Sequence, residues 1–227
     1  MYLDKWMSSF YGMSWYRLET SEDLRLIGNE PSMYEWRVSV DDFESVVHAQ
    51  AQDFKLVESF IEFSTKVKPN DENYNQIRLY DQKDLLNIYD LNENVMCKNL
   101  DLRTRLNNLN YFNSNDCGRY YKSAVDNSIN DSNVYACVAD INETICGYYI
   151  LKKVDENKYK GMMTGVLPSA RGLFLQYKMQ QFLINHIGHP FTLINTTQLS
   201  NFAVIKNHIR SKRSLSKIEH IFYKKVQ

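Results

Sequence analysis

The chain has 227 residues, 44% apolar and 24% charged, with 27 basic side chains balanced by 27 acidic ones. That is enough chain for a real hydrophobic core in one large domain or two small ones, and a formal charge of zero leaves no global field to draw in nucleic acid or an anionic membrane. No basic segment followed by an apolar stretch opens the sequence, and no apolar run approaches the ~20 residues of a membrane span. The expectation is therefore a cytoplasmic protein without a signal peptide, with no nucleic-acid partner and no membrane span. Cys97, Cys117, Cys137 and Cys146 form no Cys-x-x-Cys pair and sit among no histidine cluster. They read as reduced thiols, and no metal is expected.

In chain order, residues 13–19 and 36–40 have the β-branched and aromatic character of short strands. Residues 41–52 read as a helix opened by acidic residues, with Phe43, Val46 and Val47 on one face, and 54–64 as a strand. Residues 66–76 (KVKPNDENYNQ) are the most polar, turn-rich stretch and mark the best domain boundary. The division is thus a small α/β unit over 1–75, marginal on its own, and a larger domain over 76–227.

In the larger part, residues 77–79 read as a strand and 83–94 as a helix. Residues 100–117 form a polar, Asn-rich loop, longer than a compact domain keeps without a use. Helical spacing resumes over 118–129. Three antiparallel strands follow at 134–139, 145–152 and 159–166, then a helix over 172–187 that stops at Gly188 with Pro190 beyond. A strand at 191–196, a helix at 201–209 with Phe202, Ile205 and Ile209 toward the core, and a strand at 218–226 complete the chain. The fold class is α/β (α+β) with a mixed, mostly antiparallel sheet.

Two segments carry chemistry. In MTGVLPSARGLFLQYKMQQFL, starting at Met163, a strand ends at Val166, a proline turn follows, and Arg171-Gly172 opens a helix. The unpaired amides and positive dipole end of such a junction suit a pyrophosphate, although an ordinary strand-to-helix turn with a solvent-facing Arg fits the same residues equally. In the second segment Asn201 and His208 stand seven apart, about two helical turns, and share a face. A surface Asn and a partly buried His is the plain alternative.

These two segments resemble motifs A and B of the GNAT acetyltransferases, in which the turn has the form (Arg/Gln)-x-x-Gly-x-(Gly/Ala) and a Tyr follows the Asn by seven residues. More narrowly, the chain resembles the dTDP-fucosamine acetyltransferase group, which acts on dTDP-4-amino-4,6-dideoxyhexoses. The residues that carry this are 6–18 (WMSSFYGMSWYRL), like that group's first strand; 54–64, like its "GFxLVE" strand; Gly118-Arg119-Tyr120-Tyr121 leading into Asp126-Asn127-Ser128; and Thr197-Gln198 through Asn201, Ala203 and Lys206. Four positions depart from the family: Phe174 and Gln176 stand where the turn has small residues, His208 stands for the Tyr, and Lys212 for a Gly.

The resemblance implies a GNAT acyl-CoA N-acyltransferase fold and acetyl-CoA as co-substrate, bound between the strand at 162–166 and that at 191–196. It implies backbone contacts at Thr164 and Val166 to the pantetheine arm. Amides of Arg171, Gly172, Leu173, Phe174 and Leu175 would hold the pyrophosphate, and Asn201 would reach the arm near the thioester. The acceptor would be the amine of a nucleotide-linked amino sugar for surface polysaccharide synthesis, met by Arg105, Arg119, Tyr121 and Gln198, with Tyr111 and Tyr120 nearby. His208 is the candidate catalytic residue, either as an acid with a raised pKa or as a neutral N–H donor, with positioning alone as the alternative. Other acceptors, a protein or small-molecule amine, stay open, as does an inactive CoA-binding or partner-binding module. A homodimer is a candidate assembly.

Overall fold

The computed structural model describes residues 1–98, 105–107, 111–113 and 115–227. Half of the 100–117 loop lies outside the described residues. The first part of the chain contributes β1 (Tyr2–Leu3), α1 (Lys5–Tyr11), β2 (Ser14–Leu18), β3 (Ser32–Ser39), α2 (Phe43–Ala51) and β4 (Lys55–Val67). The rest contributes β5 (Ile77–Leu79), α3 (Leu85–Asn92), α4 (Asp116–Ile129), β6 (Val134–Ile141), β7 (Thr144–Asp155), β8 (Lys158–Val166), α5 (Leu175–Ile187), β9 (Phe191–Gln198), α6 (Phe202–Arg210) and β10 (Ser214–Val226). Among the described residues, no helix is long and apolar enough to cross a membrane.

All ten strands join one sheet in the order β1-β2-β3-β10-β4-β9-β8-β7-β6-β5. The strands of residues 77–166 form an antiparallel meander, and β8 then pairs in parallel with β9 after the α5 crossover. β4, from the first 75 residues, runs between β9 and β10 and pairs antiparallel with both. The early part of the chain therefore enters the middle of the sheet. α5 lies on the sheet with Leu175, Met179, Leu183 and Ile184 buried against Cys137, Tyr149, Leu151 and Leu193. Its end is set by Gly188 at φ 80°, a left-handed position that glycine takes without steric cost, with its amide on the Ile184 carbonyl at 3.2 Å.

Three segments differ from the sequence expectation. Residues 6–11, which the resemblance assigns to a first strand, lie in α1, because the Asp4 carboxylate caps the Met7 amide at 2.9 Å and Gly12 closes the helix at φ 65°. α5 begins at Leu175 rather than at Gly172: Gly172 (φ 89°) and Phe174 (φ 55°) are left-handed and cannot belong to a right-handed helix. In α6, Phe202 and Ile209 are exposed and Ile205 is half-buried, whereas His208 is the one buried residue. The helix rests on the sheet through His208, which lies against the Phe63 ring of β4 and bonds Arg213 in the turn after the helix.

Candidate functional site

β8 and β9 pair only from Lys158–Gly161 against Thr192–Asn195. Beyond that register they part, β8 staying with β7 as far as Val166 and β9 with β4 as far as Gln198. The register of β8 against β7 skips Met162, which leaves a bulge where the gap opens. Two glycines shape this point. A Cβ on Gly161 would overlap Asn195 Oδ1 and Tyr149 Oη, and one on Gly165 would overlap Leu91 Cδ2.

A cavity of about 680 Å³ occupies one side of the gap. Of the residues expected to hold a cofactor, Thr164, Val166, Arg171, Gly172, Phe174, Leu175 and Asn201 line it, and Leu173 does not. The Thr164 hydroxyl is turned back onto the Tyr148 carbonyl at 3.0 Å, so Thr164 offers the cavity backbone rather than side-chain groups. Asn201 caps α6, its Oδ1 accepting the Val204 amide at 3.4 Å. Arg171, Lys206 and Arg210 also line the cavity, and no carboxylate does among the described residues. A π-helical turn, Glu93–Cys97, continues α3 and brings Val95 and Met96 to the opposite wall.

Two of the four departures from the family acquire a physical reading. Phe174 and Lys212 both have positive φ, 55° and 54°, as the family's small residues at these positions would allow. The backbone keeps a glycine-type conformation while carrying side chains that disfavour it.

A second cavity, about 280 Å³, shares Met96, Thr164, Gln176, Asn201 and Val204 with the first and lies deeper, between β4, α4 and the parted strands. Arg105, Tyr121 and Gln198 line it, as does Tyr120. Arg119 does not: it bonds Asp116 at 3.0 Å and lies over the Phe10 ring at 4.9 Å, held at the α1–α4 contact. Tyr111 is likewise taken up by packing against Phe112 and Tyr223. Sequence reasoning missed Glu58, Phe60, Tyr149, Asn195 and Thr196 in this wall. Glu58 is its one carboxylate among the described residues. Burial pushes the Glu58 carboxyl upward against the opposing pull of Arg105, whose amide and guanidinium donate to it at 3.3 and 2.9 Å. The signal available in the sequence was weak: Glu58 is one of two glutamates, with Glu62, in the strand over 54–64, and nothing local separates them.

His208 also lines this cavity, at 2% exposure and 4.7 Å from the Phe63 ring. Its Nδ1 lies 2.7 Å from an Arg213 guanidinium nitrogen. Burial, and then the Arg213 charge, push its pKa down to about 4. An imidazolium acid at neutral pH is thereby disfavoured, which leaves the neutral N–H donor and positioning alone as the two readings. Behind it, Arg213 also donates to Gln180 Oε1, Gln180 Nε2 to Tyr149 Oη at 3.0 Å, and Tyr149 to Asn195 Oδ1 at 2.8 Å.

No family model matches the sequence, and no curated protein does. Among solved structures, a GCN5-related N-acetyltransferase from Sphaerobacter thermophilus superposes with TM-score 0.57 at 10% identity, over 91% of this chain and 64% of that one. A functionally unknown conserved protein from Staphylococcus epidermidis gives 0.61 at 11%, over 93% and 84%. A tandem GNAT protein from the clavulanic acid biosynthesis pathway gives 0.55 at 11%, over 86% and 64%. The chain thus spans about 64% of the length of the first and third of these. At such identities the likeness is one of architecture: the chain has the GNAT fold, with a mixed, mostly antiparallel open sheet.

Proposed function

We propose that the protein is an acetyl-CoA-dependent N-acetyltransferase whose acceptor is the amine of a nucleotide-linked amino sugar. The observation that carries the reading is the meeting of two cavities at the point where β8 and β9 part, one cationic and backbone-lined, the other buried and side-chain-lined.

The first cavity fits a polyanionic thioester carrier. Backbone groups of Met162 to Val166, released from strand pairing with β9, meet an amide-bearing arm as another strand would. The Arg171 amide is bonded to the Pro168 carbonyl at 3.2 Å and Leu173 lies off the cavity, so the amides of Gly172, Phe174 and Leu175 meet a pyrophosphate at the positive end of α5. Arg171, Lys206 and Arg210 add charge that bulk water and salt screen only in part. Bound acetyl-CoA supplies an acyl group activated as a thioester.

In the second cavity, Glu58 takes a proton from the acceptor ammonium, since burial raises its affinity for one. The freed amine forms a bond to the acyl carbon, the carbon–sulfur bond breaks, and the proton lost from the new amide nitrogen ends on sulfur. His208, neutral, contributes a hydrogen bond rather than a proton. Tyr120, Tyr121 and Gln198 bound the sugar, and the segment 1–75 serves as the substrate-side unit through Glu58 and Phe60 of β4.

At about 280 Å³ the acceptor cavity is at the small end for ligand pockets, which favours a second reading, a free small amine without the nucleotide. Incubation with acetyl-CoA and a panel of nucleotide-linked amino sugars and free small amines, read by mass spectrometry, separates the two. Gain of one acetyl mass on a nucleotide sugar supports the first reading, and gain only on free amines replaces it. Absence of any thermal stabilisation at millimolar acetyl-CoA removes both, because ligand at 100 times Kd stabilises by ~2.7 kcal/mol.

A further inference from the structure

Arg213 lines neither cavity, yet its guanidinium joins His208, which lines the acceptor cavity, to Gln180, which bonds the cavity residue Tyr149. A guanidinium donates and never accepts, and it keeps its charge at any working pH, so it fixes the direction of every bond connected to it. On one side His208 Nδ1 must be the acceptor, which leaves the ring proton on Nε2. On the other side Gln180 must present Oε1 to Arg213, so its Nε2 donates to Tyr149 Oη. Burial holds the Tyr149 hydroxyl at about 12, so it keeps its proton, and Asn195 Oδ1 is the acceptor in reach at 2.8 Å. Turning the Asn195 amide over would strand the hydroxyl proton in a buried site. Asn195 Nδ2 is therefore left over: a buried amide on a residue 5% exposed, lining the acceptor cavity without a partner of its own. It stands at the last paired register before β8 and β9 part.

From this geometry we propose that Arg213 is a positioning residue that orders Asn195 and His208 as hydrogen-bond donors at the acceptor cavity. The cavity accordingly selects an amine that carries oxygen lone pairs close to its nitrogen, as a vicinal amino alcohol does, over an amine without them. The inference rests on the acetyltransferase reading for its substrate consequence, but the ordering of the donors stands on the hydrogen bonds alone. Gly161 is part of the device, since any Cβ there would occupy the space in which Tyr149 and Asn195 meet.

The test uses the full chain with acetyl-CoA and two probe acceptors, glucosamine and cyclohexylamine. In the wild type, kcat/KM favours glucosamine. Arg213→Met lowers that preference by about 10–100-fold, the cost of leaving a buried polar group misaligned, while KM for acetyl-CoA stays within twofold. Tyr149→Phe, which removes one hydroxyl at constant shape, gives the same loss of preference and serves if Arg213→Met does not fold. Arg213→Lys, retaining a donor cation, restores part of it. In parallel, two-bond 1H–15N correlation spectra report His208 as the Nε2–H tautomer in the wild type and in Tyr149→Phe, with that tautomer no longer enforced in Arg213→Met. An Nδ1–H tautomer in the wild type overturns the proposal. So does an equal loss toward both acceptors, or a parallel rise in KM for acetyl-CoA. If the wild type acetylates neither probe, the activity reading fails for these acceptors, and the tautomer alone decides the positioning.

Discussion

The two cavities that meet between β8 and β9 are built on opposite principles. The outer one presents backbone and exposed cations, and Arg171, Phe174 and Phe202 on its rim are all exposed. The inner one presents side chains that are themselves buried and bonded: Glu58 to Arg105, Tyr149 to Asn195, His208 to Arg213. Side-chain substitution other than to proline leaves a backbone N–H in place, so an outer wall of this kind is compatible with Phe174 and Gln176, where the motif that the segment resembles has small residues. A buried polar wall tolerates little, because each member leaves another unpaired when it goes.

The largest expected effect is on pH. His208 folds with its pKa at about 4 against an ordinary 6.5, so the unfolded chain binds its proton first as pH falls. Its contribution is whole above pH 6.5 and is lost between 6.5 and 4, about 3 kcal/mol in all. Denaturation midpoints measured from pH 7.5 to 4.5 should fall more steeply for the wild type than for His208→Gln. Equal slopes would mean that His208 is solvated and the inner wall is not closed.

Next is Gly161→Ala, whose Cβ would force Tyr149 and Asn195 apart at the head of the gap. A loss of about 2 kcal/mol is expected from overpacking, with the melting temperature falling by several degrees. An unchanged melting temperature would show that the paired register yields easily. The outer cavity should respond less. Lys206→Ala and Arg210→Ala should each weaken acetyl-CoA binding by about 0.5–1 kcal/mol, an effect that shrinks in high salt, as isothermal titration at two ionic strengths would reveal.

The smallest effect has the opposite sign. Phe174 sits at φ 55°, so Phe174→Gly removes a strained conformation and should stabilise the fold by about 0.5 kcal/mol, net of the glycine's greater freedom when unfolded. A differential scanning experiment in which this variant melts lower than the wild type would show that the Phe174 ring, not the backbone, holds the turn.

Much of the architecture was legible because it is local. From residue 77 onward the strand and helix order follows from period-two and period-3.6 patterns with Gly188 and Asn201 as punctuation, and the observed elements keep that order. The turn that lines the outer cavity was legible for the same reason, since Arg171, Gly172 and Phe174 are neighbours in the chain. The exceptions are instructive. α1 was missed because aromatic residues suit both strand and helix, and the deciding contact is one Asp4 cap. The apolar face expected for α6 was misplaced because His208 is the side chain it buries, against the Phe63 ring and with Nδ1 held by Arg213.

By itself, then, the sequence determined the fold class and the outer cavity, whose parts lie within short stretches of chain and act through backbone geometry. Only the tertiary structure decided the inner cavity. Glu58 and Arg105 are 47 residues apart, Tyr149 and Asn195 are 46, and Gln180 and Arg213 are 33. No periodicity links such pairs. They meet because β4 runs between β9 and β10, and because α5, α6 and the turn after it close over the same end of the sheet.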